Sequence, residues 1–116
     1  MKTINKAAFI DTFQYFDKHV VLEIIDIFIN ECDSRIDAMR NDIANNNLTA
    51  LKFDAHSFKG VVANFMAEET LGIARELEYR ATEGKNEGLD DLLNSLEQSS
   101  SHLLADLKEL RNLFID

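Results

Sequence analysis

Residues 18–45 read KHVVLEIIDIFINECDSRIDAMRNDIAN, and their spacing decides the fold. Ile25, Cys32 and Met39 recur every seven residues, and Ile29, Ile36 and Ile43 interleave with them at the same period. This 4-3-4-3-4 alternation puts all six on one side of a helix. A helix from Lys18 to Asn45 is about 40 Å long. Asn45, Asn46 and Asn47 end it as a turn, because short amides compete for the helical backbone hydrogen bonds.

The same period extends in both directions. A shorter helix is expected before the long one, from about Asn5 to Phe16, with Phe9, Phe13 and Phe16 as its stripe and Ala8 beside them. After the asparagines the spacing predicts a helix from Leu48 to Met66, striped by Leu51, Ala55, Phe58, Val62 and Phe65. The next runs from Glu68 to Glu83 with Ile73, Ala74, Leu77 and Ala81 inward; Glu68 and Glu69 suit the positive end of its dipole. Residues 83–88 contain two of the four glycines and form the clearest loop. A last helix from Leu89 to Phe114 carries Leu89, Leu93, Leu96, Ser100, Leu103, Leu107, Leu110 and Phe114 in 4-3 spacing, with Ser100 the one polar intruder. Short connections between long amphipathic helices favour antiparallel neighbours. The expected fold is all-α, an up-down antiparallel four-helix bundle with a short additional N-terminal helix, in a single domain over residues 1–116.

Composition agrees. The 116 residues include no proline and are 46% hydrophobic and 28% charged, as in an ordinary globular domain. One cysteine, Cys32, leaves no internal disulfide and no multi-cysteine zinc site. On the buried stripe it reads as a core residue. The start of the chain lacks the apolar core of a signal peptide, and no apolar run reaches the roughly 18 residues of a membrane span. A cytoplasmic monomer is expected. Twelve basic against 21 acidic residues give −9, a poor balance for binding nucleic acid or an anionic membrane.

Most catalytic signatures are missing. Gly84-Lys85 has Tyr79, not glycine, at the P-loop position, and no His-Glu-x-x-His occurs. Phe16, Phe53 and Ser99 stand three before His19, His56 and His102, which excludes the Glu-x-x-His of di-iron bundles. His19 reads as a surface residue and His102 as a boundary one. His56 differs because of its neighbours. Lys59 and Gly60 follow it at three and four, Lys52 precedes it by one turn, and Ala63 follows Gly60 by one turn. The stripe through Ala55, Phe58 and Val62 points elsewhere, so His56 faces solvent.

An exposed neutral imidazole is a competent nucleophile. A lysine one turn away offsets charge on a phosphoryl group carried there. A mid-helix glycine costs about 1 kcal/mol relative to alanine and is tolerated best where something approaches the backbone. Between Asn47 and Ala67 the ionised residues are Lys52, Asp54 and Lys59, net +1 in an acidic chain.

Ala55-His56-Ser57-Phe58-Lys59-Gly60 resembles the A-H-x-L-K-G signature of histidine-containing phosphotransfer (HPt) domains. Val61-Val62-Ala63-Asn64-Phe65 resembles the small-residue run after it, and Leu77-Glu78 the family's Leu-Glu in the next helix. The likeness spans nearly the whole chain. Two positions depart from it: Met66 stands where the family usually has glycine, and Thr70 where it has leucine, with Leu71 expected to share the packing. The resemblance implies a helical phosphoryl carrier of multistep phosphorelays without kinase activity. His56 would be the phosphoacceptor and Lys59 its electrostatic aid. Gly60, with Lys52 and Ala63 around it, would meet the partner. Receiver domains of response regulators or hybrid histidine kinases would be the partners and would bring the magnesium; the chain itself would hold no metal and no nucleotide. A helical adaptor without chemistry is the alternative. A kinase dimerisation domain fits less well, since an acidic residue usually follows its histidine and Ser57 does so here.

Overall fold

The computed structural model describes Ile4 and residues 6–14 and 16–114. Its five helices are α1 (Lys6–Phe13), α2 (Lys18–Ala44), α3 (Leu48–Val62), α4 (Glu68–Thr82) and α5 (Leu89–Arg111), with 3₁₀ turns at Ala63–Phe65 and Asn112–Phe114. No strand occurs among the described residues. In the bundle α2 packs on α3, α3 on α4 and α4 on α5, and α5 closes back on α2. The body measures 46 × 21 × 19 Å, and its length is set by the 27 residues of α2 at about 1.5 Å per residue.

The stripes form the core. Every expected inward residue of α3, including Phe65 beyond its end, is fully buried, as are the leucines of the expected α5 stripe apart from a trace at Leu89; Leu92 and Leu104 beside them are partly buried. On α2, Ile25, Cys32, Ile36 and Met39 are buried and Ile29 and Ile43 only partly, while Val21 and Phe28 go inward as well. A long helix turns a stripe wider than one row of sevens toward its two neighbours. Phe28 is central: its ring lies 5.9 Å from Phe58 and 5.4 Å from Phe65.

The ends of the helices follow local chemistry. Asp17 Oδ1 accepts the His19 amide at 2.7 Å and caps α2. This cap limits α1, which stops at Phe13, three residues short of the expected end. Phe16 therefore does not join the stripe: it is exposed, with its ring edge-on to Phe13 at 5.1 Å. Phe9 and Phe13 are buried as expected. The expected helix start at Asn5 and the side chain of Phe114 lie outside the described residues. At the other end of α2, Asn46 turns the chain with φ +53°, and Asn47 Oδ1 accepts the Ala50 amide at 3.1 Å to cap α3.

The expected helix through Met66 ends at Val62, tightens into the 3₁₀ turn, and reverses at Met66 with φ +57° and ψ +33°. The left-handed conformation explains why glycine suits this position; a residue with a Cβ holds it at a cost of roughly 1–2 kcal/mol.

Polar residues within the bundle are mostly paired. Thr70 is fully buried, and its hydroxyl meets that of Ser99 at 2.7 Å, so α5 supplies the partner that a leucine would not need. Leu71 packs partly buried beside it. Ser100 faces the Cys32 thiol, which burial, chiefly, pushes up to about 11. Asp26, which interrupts the most apolar part of α2, is gripped by Arg111 of α5 at 2.6 and 3.2 Å. Asp42 of α2 is pushed up to about 7, by burial first and then by the Asp54 carboxyl of α3 against it.

Candidate functional site

The register of α3 fixes the site. With Leu51, Ala55, Phe58 and Val62 locked inward, His56 falls on the outer face of the bundle, its side chain 69% exposed. Lys52, Gly60 and Ala63 are exposed along the same stretch, Ala63 as the first residue of the 3₁₀ turn. A Cβ at Gly60 would meet nothing within 4 Å, so folding places no demand for glycine there.

On α4 the buried Leu77 rotates its successor, Glu78, toward α3. Glu78 Oε2 lies 2.7 Å from His56 Nδ1, and Glu78 Oε1 accepts from Lys59 Nζ at 2.6 Å. One carboxylate thus holds both candidate side chains of α3, His56 and Lys59. The Lys59 ammonium, above all, keeps the Glu78 carboxyl below its ordinary range; the bond from His56 acts in the same direction and burial opposes it. An ionised carboxylate can only accept. Nδ1 therefore carries a proton toward Glu78, and Nε2 is the ring nitrogen that this bond leaves open for chemistry. On the other flank Arg35 of α2 donates to Ser57 Oγ at 2.9 Å and to Glu31 at 3.2 Å, which ties α2 to α3 next to His56.

The sequence marks Glu78 only through the Leu-Glu pair, which does not place it beside His56. Its role depends on how α4 is rotated against α3, which no pattern within one helix specifies. An open cleft of about 410 Å³, lined by Thr49, Lys52, Phe53, His56 and Glu78, borders the imidazole. His19 is exposed and His102 half-buried, away from this cluster in the chain. Among the described residues no group of three His, Cys, Asp or Glu side chains is arranged to hold a metal, and no helix is long and apolar enough to cross a membrane.

Residues 23–113 match the family model of the Hpt domain. The fold is similar to the crystal structure of histidine-containing phosphotransfer protein B (HptB) from Pseudomonas aeruginosa PAO1, with a TM-score of 0.86, 21% identity and 95% of each chain covered. No curated protein matches the chain in sequence.

Proposed function

The chain belongs to the Hpt domain family and is a histidine phosphotransfer protein of phosphorelay signalling, and we propose that His56 carries the phosphoryl group between the aspartates of receiver domains. The observation that carries this reading is the exposed imidazole whose Nδ1 is bonded to an ionised carboxylate. Nε2 attacks the phosphorus of an aspartyl phosphate; the N–P bond forms as the O–P bond breaks, and the receiver's carboxylate leaves with the electron pair. Nδ1 keeps its proton toward Glu78, which stabilises the positive ring formed in the transfer. Return transfer reverses these steps. Lys59, held one turn away, offsets phosphoryl charge. Gly60 and Ala63 keep the surface low where the receiver approaches, and Lys52 faces its acidic pocket. The receiver supplies the magnesium; this chain is a carrier without kinase activity, and residues 1–116 act as one domain.

The experiment is to mix the protein with aspartyl-phosphorylated receiver domains and follow acid-labile label, with His56→Gln alongside. Label on the native chain alone is expected. Label on the variant would move the site elsewhere, and no label from receivers known to be active would favour an adaptor that kept the fold and lost the chemistry.

A further inference from the structure

Asp42 lies in the last turn of α2 and Asp54 in the second turn of α3, and both are half-buried where the two helices meet. One oxygen of Asp42, Oδ2, is shut off from water and has no hydrogen-bond partner. The group that its carboxyl meets across the seam is the carboxyl of Asp54. Among the described residues no cation is bonded to either one. Arg35 lines a small cleft with Asp54, but its guanidinium is committed to Ser57 and Glu31. Arg40 and Lys52 stand two residues from Asp42 and Asp54, hence on the opposite sides of their helices, and Arg40 reaches Asn94 and Glu97 of α5. On the other flank of α3, Glu78 of α4 is taken by His56 and Lys59. The loop after α4 touches this corner through an uncharged pair, Asn86 and Asn46.

Two ionised carboxylates only accept, so they cannot satisfy each other; one proton between them can. The corner around them is lightly held. Asn46 turns it in the left-handed region, and α3 starts on the side chain of Asn47. We propose that Asp42 and Asp54 share one proton as a latch between α2 and α3, and that losing it loosens the first two turns of the helix that presents His56. The latch is a pH-sensitive device of the fold and stands whether or not His56 carries a phosphoryl group. Its sign follows from where the proton resides. A freed Asp42 titrates near 4, as an ordinary aspartate does, whereas the closed corner holds the proton up to about 7. The latch is complete in acid, weakens as pH rises toward 7 and adds nothing above that.

Native-state hydrogen exchange, corrected for the intrinsic pH dependence of each amide, tests this at the place proposed. Complete coupling to one proton would lower protection about a hundredfold between pH 5 and pH 7. Water at half-buried carboxyls reduces this, and a fall of roughly tenfold is expected for the amides of Leu51 to Asp54. Those of Gly60 to Val62, at the far end of α3, should stay within twofold. Asp42→Asn abolishes the fall by removing the titrating group. Asp54→Asn abolishes it by giving Asp42 an amide donor, which keeps the corner closed at both pH values. A native fall of less than twofold at residues 51–54 overturns the proposal. So does a fall that persists in both variants, and so does one of equal size at residues 60–62, which would make it a property of the whole helix rather than of this corner.

Discussion

Replacing Glu78 by alanine removes the acceptor that fixes the His56 tautomer. The bond from Nδ1 is 2.7 Å long and its acceptor is ionised. Such bonds contribute about 1.5–3 kcal/mol when sheltered, but the imidazole is 69% exposed, and water screens the interaction to about 1 kcal/mol. At 1.4 kcal/mol per tenfold, this corresponds to a bias of roughly fivefold toward the form with Nε2 free. Labelling by phosphoramidate should therefore slow about fivefold in Glu78→Ala, and ¹⁵N spectra of the imidazole should show proton density moving from Nδ1 to Nε2. Lys59 also loses its partner in this variant, so Lys59→Met is the control: it should slow labelling without changing the tautomer. An unchanged rate together with unchanged ¹⁵N shifts in Glu78→Ala would refute the reasoning. The pH dependence has a definite sign. A carboxyl held below its ordinary value near 4.5 contributes stability above that value and loses it as pH falls through the folded value. Nδ1 thus stays anchored throughout the neutral range.

Three further outcomes are expected. Gly60→Ala should stabilise the fold by about 1 kcal/mol in urea, since its Cβ meets open space, yet impair transfer from receivers; Gly72→Ala, equally open on α4, should stabilise without impairing transfer, and equal transfer by both variants would sink the close-approach role of Gly60. Ser99→Ala should cost about 1–3 kcal/mol by stranding the Thr70 hydroxyl, and Ser99→Ala with Thr70→Val should recover much of it in a double-mutant cycle. Asp42, raised to about 7, binds a proton in the folded state that the unfolded chain releases near pH 4; stability from this group is complete below that value and falls as pH rises toward 7, so Asp42→Asn should flatten the difference between urea midpoints at pH 5 and pH 8, and an unflattened difference would remove the carboxyl pair as its cause.

The fold was legible because its signal lies within single helices. The α5 leucines repeat every three or four residues, and nothing outside the helix is needed to read their inward face. His56 was legible as exposed for the same reason: its neighbours Ala55 and Phe58 mark the buried side. What escaped depends on two elements at once. Glu78 joins the site through the rotation of α4 against α3, and Ser99 meets Thr70 through the alignment of α5 with α4. The early end of α1 reflects a competition in which the Asp17 cap prevails over continuation to Phe16. The αL turn at Met66 could be suspected from the missing glycine, but only the backbone angles show that a methionine occupies the conformation glycine would favour.

One exposed imidazole offers one ring nitrogen that is not bonded to Glu78. On the proposed role of His56, donor and acceptor must therefore use the same small surface, and neither can arrive before the other has left. With His56 as the carrier, the two transfers alternate, which is ping-pong kinetics. An unphosphorylated donor in excess becomes a competitor of the acceptor, so the flux of the relay depends on the ratio of its partners as well as on their affinities.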